Sequence, residues 1–225
     1  MHYSLENPTE HRNHGLTHNP FKALVAPRPI GWISTISKAG VPNLAPYSFF
    51  NAICDAPPTV MFSSAGRKDS VNNIEETGEF TCSMATEMLV DSMNLSSAPV
   101  LAEVDEFKLA KLETAPSLVV KPPRVAASPS ALECRLWKTL ALPRTDPSQT
   151  EHVLVIGHVV AIYIDEAYVK NGIVDTGAMR PLARMGYMDY SVVRPDTVMT
   201  LNRPIPSEDR KSASVKPGPW DGVYR

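Results

Sequence analysis

The sequence predicts a mainly β protein, an antiparallel barrel or sandwich with a few short flanking helices. Prolines number 21 among 225 residues, roughly twice the usual ~5% share, and proline disrupts helix interiors and central strands. Short β-rich segments separated by turns fill most of the chain, without regular alternation with helices. Apolar residues make up 43% of the chain, which is typical of a globular protein with a sizeable core.

Charge and cysteine content narrow the classes of function. The 22 Lys and Arg against 24 Asp and Glu provide no basic field for nucleic acid or an anionic membrane. Cys54, Cys82 and Cys134 form no Cys-x-x-Cys pair, which argues against a disulfide framework or zinc ribbon and favours structural thiols. The N-terminus lacks the apolar core of a signal peptide, and the longest apolar stretch, residues 153–164, is too short to span a bilayer as a helix. We therefore expect a cytoplasmic protein without nucleic-acid or membrane partners.

The first half of the chain contains four β-rich segments in order. Residues 30–37 are predicted to form a strand, followed by a turn at 38–40 and a proline-containing segment over 41–48. A short strand over 59–63 then enters a polar turn at 64–69, and a further strand follows over 79–84.

Two short helices are predicted between and after these strands. The first spans residues 70–77, with Asp69 or Ser70 as its N-cap and Gly78 just past its end. The second spans residues 87–96.

The second half is dominated by two long strands, predicted over 131–142 and 153–164 after a loop-rich segment at 107–121. In the later strand, Leu154, Ile156, Val160 and Ile162 lie on one face, and Val153, Val155, Val159, Ala161 and Tyr163 lie on the other. A strand that is apolar on both faces must be covered on both, by the barrel core and by a helix, loop or partner subunit.

Polar segments at both ends delimit the domain that carries the function, which is predicted over residues 21–200. Residues 1–20 are expected to be a solvated arm. Its His11, His14 and His18 could share a helix face, but no carboxylate or cysteine at ligand spacing completes a metal site. Residues 201–225 form a proline-rich tail, either disordered or an arm anchored on a neighbour by Trp220 and Tyr224.

The turn before the first helix carries the clearest chemistry. Ser63, Ser64, Arg67 and Lys68 precede a helix N-terminus, which offers unpaired N–H groups and partial positive charge. The basic side chains could add charge-assisted hydrogen bonds to an anion. Because the Walker A spacing is missing, these residues alone predict either a phosphate site or an ordinary basic surface turn.

Other constellations carry less information. The chain has no Gly-x-Gly-x-x-Gly fingerprint, so a nicotinamide cofactor would bind outside a Rossmann domain. It also lacks the Gly-x-Ser-x-Gly and His-Glu-x-x-His motifs of hydrolases and zinc proteases. His158 lies among apolar strand residues and is expected to be buried and hydrogen-bonded rather than catalytic. We assign no catalytic residue from the sequence.

The order of several short segments carries more information about the family than any single motif does. They are Arg28-Pro-Ile-Gly-Trp-Ile-Ser-Thr35, Pro42-Asn-Leu-Ala-Pro-Tyr-Ser-Phe-Phe-Asn51, Asp55-Ala-Pro-Pro-Thr-Val-Met-Phe-Ser63, Lys68-Asp-Ser70, Asn73-Ile-Glu-Glu-Thr-Gly-Glu-Phe80, Asp105-Glu-Phe107, Leu154-Val-Ile-Gly157 and Arg184-Met-Gly-Tyr-Met-Asp-Tyr190. In this order and spacing they resemble the flavin reductase-like, FMN-binding split-barrel family. The similarity runs from about residue 20 to about residue 195.

The resemblance implies a homodimeric split β-barrel with FMN bound near the subunit interface. It places residues 43–51 along the flavin ring and residues 63–70 at the ribityl chain and phosphate, in agreement with the chemistry of that turn. The implied cofactor-binding residues are Pro46, Tyr47, Ser48, Phe49 and Asn51 near the ring; Ser63, Ser64, Arg67, Lys68 and Ser70 at the phosphate end; and Arg184 and Tyr187 closing the site.

Four positions distinguish this chain within that pattern. Ser70 replaces the usual threonine and keeps the hydroxyl, and Ser83 stands where many members have asparagine. Tyr187 replaces the second glycine of a Gly-Gly pair, so its side chain is expected to narrow the pocket over the flavin. His158 stands where many members have glutamate, and no role is carried over for it.

The resemblance implies a flavin reductase. NADH or NADPH would pass a hydride to flavin N5, and the electrons would leave to free flavin, a small-molecule acceptor or a partner monooxygenase. Three alternatives stay open at this point: a flavoredoxin-like FMN electron carrier reduced by another protein, an FMN-dependent reductase of a small carbonyl or quinone, and a barrel that has lost cofactor binding.

Overall fold

The computed structural model describes residues 1–223, so the proposed anchor Tyr224 lies outside the described residues. The strands are β1 Arg28–Pro29, β2 Gly31–Ile36, β3 Pro42–Tyr47, β4 Phe50–Asp55, β5 Pro58–Ala65, β6 Glu79–Met84, β7 Thr114–Ala115, β8 Arg124–Val125, β9 Ser130–Leu142, β10 His152–Ile164, β11 Val169–Lys170, β12 Ile173–Val174, β13 Leu182–Arg184, β14 Tyr190–Val192, β15 Ile205–Pro206 and β16 Ala213–Ser214. The helices are α1 Glu10–Asn13, α2 Phe21–Leu24, α3 Asp69–Thr77, α4 Val90–Leu95, α5 Glu106–Leu109 and α6 Thr176–Met179, with 3₁₀ turns at Glu87–Leu89, Glu166–Tyr168 and Pro195–Thr197.

One antiparallel sheet organises the molecule. Its seven strands lie in the order β3-β2-β6-β9-β10-β5-β4. Strands from both halves of this order contribute to one core cluster, since Ile33 of β2 and Tyr47 of β3 pack together with Phe62 of β5 and Val155 of β10. The sheet therefore curls around a shared core, and the prediction of an antiparallel β fold with short helices is confirmed.

Strand β2 separates two hydrophobic clusters. Ile33 belongs to the first cluster, whereas the adjacent Trp32 packs in a second one with Leu44 and Phe107. All of these side chains are at most 1% exposed, and burying an aromatic or aliphatic side chain of this size contributes about 1.5–3 kcal/mol. Successive strand residues point to opposite faces, so β2 is covered on both sides.

Most strand predictions from the sequence are confirmed within one or two residues. Strand β6 matches its predicted range, and β2, β9 and β10 each begin or end within a residue of theirs. The turn at 38–40 is also present, with Gly40 at φ +84°. Strand β4 was not predicted, because no alternation of apolar and polar residues marks it. Five of its six residues are exposed.

The predicted first helix has a different N-cap. Helix α3 begins at Asp69 with Lys68 as its N-cap, and no side chain caps it, so the prediction of Asp69 or Ser70 as the N-cap is wrong. The predicted end is confirmed, since Gly78 adopts φ +76° and its N–H donates to the carbonyl of Ile74 at 2.8 Å. A left-handed residue in this position favours glycine.

The two faces of β10 differ in burial. Val153 and Val155 are at most 1% exposed, whereas Val160 and Ile162 on the other face are 38% and 60% exposed. The expectation that His158 is buried is wrong, because it is only half-buried. Its hydrogen bond is confirmed: Nδ1 lies 3.1 Å from Oγ1 of Thr59.

The cysteines and the N-terminal histidines occupy separate environments. Cys82 and Cys134 are buried and Cys54 is exposed, all as free thiols, and burial raises the pKa of Cys82 to about 12. His11 is buried rather than solvated. His14 stacks on Tyr3 and His18 packs on Tyr187, and within residues 1–223 no three His, Cys, Asp or Glu side chains form a metal-binding group.

A small sheet, β1-β13-β14, joins the N-terminal segment to the end of the domain. Arg28 of β1 pairs in register with Arg184 of β13. Across the described part of the chain, no helix is both long and apolar enough to cross a bilayer.

Candidate functional site

A cavity of about 1000 Å³ opens beside β3, β5 and the start of α3. Its wall is formed by Asn43, Ala45, Pro46, Tyr47, Ser48 and Phe49 from β3 and the turn after it; Ser63, Ala65, Lys68, Asp69 and Ser70 from β5 and the start of α3; Asn19, Phe21 and Lys22 near α2; and Ser96, Ser97, Ala98, Pro99, Val100, Glu106, Gln149 and His152. Polar side chains and helix-terminal backbone from distant parts of the chain thus meet in one place.

One end of the cavity is built from the turn between β5 and α3. Gly66 adopts φ +82° and donates its N–H to the carbonyl of Glu151 at 2.8 Å, which fixes the turn against the segment before β10. The hydroxyl of Ser64 is buried and donates to the carbonyl of Gly66 at 2.9 Å. Ser64 therefore shapes the turn from inside, while Ser63 lines the cavity.

The start of α3 brings Lys68, Ser70 and the carboxylate of Asp69 to the cavity wall. No side chain caps this helix, and the N–H of Val71 donates to the carbonyl of Lys68 at 2.9 Å. The N–H groups of Asp69 and Ser70 before it carry the partial positive charge of a helix start. Ser70 is 1% exposed, and its hydroxyl accepts from Nδ2 of Asn43 at 3.0 Å. Lys68 is exposed and forms no ion pair with any described residue. Arg67 instead pairs with Glu75 and lies outside the cavity wall that the described residues form.

The other end is lined by β3 and the turn that follows it. The Tyr47 ring packs on Phe62, with 4.5 Å between ring centroids. Its buried hydroxyl has no hydrogen-bond partner among residues 1–223. Burial raises the pKa of Tyr47, so the phenol is protonated at physiological pH and can donate a hydrogen bond.

Phe49 provides an aromatic surface beside charged groups. The ammonium of Lys22 lies 5.9 Å from its ring centroid, and the His152 ring lies 6.5 Å away. His152 also approaches Oγ of Ser63, with Nδ1 at 3.4 Å. Asn51 does not belong to the wall that the described residues form, and its side-chain oxygen accepts from the N–H of Ala52 on exposed β4.

Arg184 and Tyr187, predicted to close the site, lie outside the cavity wall formed by the described residues. The Arg184 guanidinium stacks over Tyr190, 4.5 Å from the ring centroid, and donates to the hydroxyl of Tyr190 and the carbonyl of Tyr187. Tyr187 adopts φ +52° and is 46% exposed. The residue that replaces a family glycine therefore keeps the left-handed backbone that favours glycine.

Sequence reasoning singled out seven residues of the wall, and the charged and polar residues that it did not single out include Lys22, Asn43, Glu106 and His152. Glu106 is 6% exposed and accepts the N–H of Leu44 at 3.0 Å. Burial raises its pKa, with smaller contributions from Asp69 and Asp105. Asn43 and Glu106 lie in segments that the family resemblance already contained, so their positions there were the available signal. Lys22 and His152 belong to none of those segments.

The curled antiparallel sheet and its polar cavity beside a helix N-terminus define a β-barrel protein with a candidate ligand site. The model of the flavin reductase like domain matches residues 24–183, and the chain belongs to this flavin-binding family. The fold is accordingly the antiparallel split β-barrel that the resemblance implied.

Several known proteins are similar to this chain. An uncharacterized protein of Aquifex aeolicus is 37% identical over 173 residues, covering 74% of this chain and 85% of the relative. The structure of nitrilotriacetate monooxygenase component B from Bacillus cereus is 30% identical with a TM-score of 0.76, covering 85% of this chain and 95% of that one. The 2-nitrobenzoate 2-nitroreductase of Pseudomonas fluorescens is 25% identical with a TM-score of 0.76, covering 92% and 100%.

Proposed function

We propose that this chain binds FMN in the cavity and acts as an NAD(P)H-dependent flavin reductase. The observation that carries the proposal is the N-terminus of α3, which has no side-chain cap and lies in the cavity wall beside Lys68 and Ser70. Free N–H groups, hydroxyls and an unpaired ammonium at a helix start favour a bound phosphate. Family membership supports a flavin phosphate in particular.

The residues of the cavity fit both ends of FMN. Ser63, Lys68 and Ser70 would hold the phosphate, and the backbone of residues 46–49 would lie along the ring. The unpartnered hydroxyl of Tyr47 supplies a buried donor for a polar atom of the cofactor. When bound, FMN supplies a ring that accepts a hydride from reduced nicotinamide at N5.

This chain's own residues contribute orientation. Asn43 donates to the Ser70 hydroxyl, which leaves the Ser70 proton free to point to a phosphate oxygen. His152 of β10 lies beside the Ser63 hydroxyl, with Nδ1 3.4 Å from Oγ. Hydride transfer requires no general acid or base, which agrees with a site in which positioning groups predominate.

The exposed outer face of β10 supports a homodimer. Val160 and Ile162 are 38% and 60% exposed, and Trp137 on the paired strand β9 is 59% exposed. Contiguous exposed apolar side chains of this kind mark interaction surfaces, so a second copy would provide the cover that the sequence requires. Sedimentation velocity at micromolar concentration is expected to show a dimer, and a monomer would contradict this part of the proposal.

The reductase activity is tested with purified protein, FMN and either NADH or NADPH. Nicotinamide oxidation above the protein-free control, together with bleaching of the flavin absorbance under anaerobic conditions, is expected. Tight flavin binding without nicotinamide oxidation would instead support a flavoredoxin-like carrier. A protein that takes up no FMN would refute the proposal and support a barrel without cofactor.

Direct reduction of a small acceptor in the cavity is a second candidate. Phe21 and Phe49 give the wall aromatic surface, and the similar Pseudomonas fluorescens protein is named for reducing 2-nitrobenzoate. Steady-state assays that compare free flavin with small carbonyls, quinones and nitroaromatics as acceptors distinguish the two. Turnover that needs a stoichiometric small acceptor but no free flavin would favour this candidate, and a required second protein would indicate a partner monooxygenase.

A further inference from the structure

Two lysines line the cavity, and the phosphate end accounts for only one of them. Lys68 lies at the start of α3, whereas Lys22 belongs to the short helix α2. Neither ammonium forms an ion pair with any residue in the described range 1–223. Lys22 is therefore an unneutralised positive charge at a second place in the same cavity.

The surroundings of Lys22 are aromatic, unlike those of Lys68. Its ammonium lies 5.9 Å from the ring centroid of Phe49, and the neighbouring Phe21 lines the cavity with 55% of its surface exposed. Lys68 instead has the hydroxyl of Ser70 and a helix terminus beside it. The two lysines thus suit different anionic groups.

The segment that carries Lys22 is held by buried contacts. Arg28 is 6% exposed, and its Nη1 donates to the carbonyls of Lys22 and Val25 while Nη2 donates to the carbonyl of Met185 at 2.8 Å. A Cβ on Gly186 would lie 2.5 Å from Cβ of Ala23, so only glycine permits this close approach. These contacts fix the backbone of Lys22 relative to Phe49.

The combination favours one class of ligand. An exposed ammonium beside an aromatic surface binds a carboxylate by a charge-assisted hydrogen bond while aromatic rings pack together. The Arg28 guanidinium, 5.8 Å from the same Phe49 ring centroid, adds a second positive charge there. A phosphate group would gain more from several hydroxyl and N–H donors, which cluster at Lys68 rather than at Lys22. We propose that Lys22 and Phe49 form a subsite for an aromatic carboxylate, the second ligand of the cavity. This inference rests on the proposed function for the identity of the first ligand.

Two aromatic ligands that differ in charge test the subsite. p-Hydroxybenzoate and p-hydroxybenzaldehyde are titrated by calorimetry into the full chain, with and without FMN. The variants are Lys22→Gln, which removes the charge, Lys22→Arg, which keeps it, and Lys38→Gln, a matched control on an exposed turn away from the cavity.

Lys22→Gln is expected to weaken p-hydroxybenzoate binding about tenfold, the loss of one charge-assisted hydrogen bond. Binding of p-hydroxybenzaldehyde should change less than twofold. Lys22→Arg is expected to retain most of the affinity for the acid, and Lys38→Gln all of it.

Three outcomes would overturn the subsite: no binding of the acid to the native protein in either state, equal losses for acid and aldehyde, or weakened binding of NADH by Lys22→Gln with no effect on the acid. The last result would assign Lys22 to a dinucleotide phosphate. FMN affinity is measured separately for each variant. Failure to bind FMN rejects the proposed function, whereas the difference between acid and aldehyde still reports on Lys22 in the flavin-free protein.

Discussion

Two buried glutamates lie in opposite kinds of surroundings. Glu133 of β9 is 4% exposed and accepts the backbone N–H groups of Leu118, Val119 and Val120 at 2.7, 2.6 and 3.2 Å. Glu106 is 6% exposed and accepts from the N–H of Leu44 at 3.0 Å. Burial raises the pKa of Glu106. The Glu133 carboxylate therefore satisfies three backbone donors of the loop over 118–120. The Glu106 carboxylate in the cavity has too few hydrogen bonds to offset the cost of its burial.

The same difference extends to other polar groups of the two regions. In the cavity, α3 has no side-chain cap and the Tyr47 hydroxyl has no partner among the described residues. At the loop, the chain satisfies its own backbone donors. Unsatisfied buried polar groups cost stability. Of the three such side-chain atoms among the described residues, Arg28 Nε, Ser34 Oγ and the Tyr47 hydroxyl, only the last belongs to a residue of the cavity wall. If the loop serves stability and the cavity serves binding, substitutions in the two regions should change different properties.

The largest effect is expected for Glu133→Ala. Removing a buried carboxylate leaves three backbone N–H groups without an acceptor, which should lower the free energy of unfolding by about 3–5 kcal/mol. Glu133→Gln keeps one acceptor oxygen and should lose about half as much. Urea denaturation of both variants gives the comparison, with the exposed Glu76→Ala as control. FMN affinity of the folded Glu133→Gln protein should be unchanged, and a large loss of affinity would contradict the separation of the two regions.

Lys68→Ala should show the opposite pattern. Loss of one exposed charge at the phosphate end is expected to weaken FMN binding by about 1–2 kcal/mol, roughly five- to thirtyfold, with little change in unfolding free energy. Arg67→Ala is the matched neighbour, and because Arg67 pairs with Glu75, its effect should be below about threefold. Fluorescence titration of FMN measures both. A larger effect from Arg67 would show that it leaves Glu75 to bind the phosphate.

Tyr47→Phe removes a single hydroxyl and should change the stability of the protein and its FMN affinity in opposite directions. The buried hydroxyl has no partner in the described chain, so its removal should raise the stability of the flavin-free protein by about 1 kcal/mol. FMN affinity should fall severalfold if the hydroxyl donates to the cofactor. Thermal unfolding with and without FMN measures both effects, with the half-buried Tyr168→Phe as control. Reduced stability in the flavin-free state would mean that the hydroxyl is already satisfied.

The sheet could be predicted from the sequence because its signals are local. Alternating and β-branched residues mark β2, β6 and β10, and Gly78 marks the end of α3. Strand β4 lacked such a signal because nearly all of it is exposed. His158 was misjudged because the face of β10 that carries Val160 and Ile162 is largely exposed in the described structure. Whether a residue on an outer face is buried depends on what packs against that face, and the periodicity of the sequence carries no information about that packing.

The candidate site was predicted only in part, because a sequence motif identifies a local segment and not the contacts between distant segments. Lys68 and Ser70 lie in a continuous motif, and the structure places both in the cavity wall. Lys22 and His152 reach the wall through contacts between segments far apart in the chain. Arg67 and Ser64 belong to the motif, yet they serve an ion pair and the turn itself. Motifs identify a segment, whereas the side chains that face the cavity depend on the local backbone.

The smallest expected effect comes from Glu106→Gln and depends on pH. Because burial raises the pKa of Glu106 in the folded state, the native protein loses stability as the pH rises through that pKa. Glutamine can still accept from Leu44 but carries no charge, so the variant should be more stable at pH 7, by less than about 1 kcal/mol.

This advantage should disappear below the ordinary glutamate pKa of about 4.3, where the carboxyl is protonated in both the folded and unfolded states. Urea denaturation at pH 7 and near pH 4 measures the difference, with the exposed Glu103→Gln as control. A variant that is less stable at pH 7 would place Glu106 with Glu133 as a structural carboxylate. In that case the polar groups of the cavity that lack a partner among the described residues would be those of Tyr47 and the start of α3.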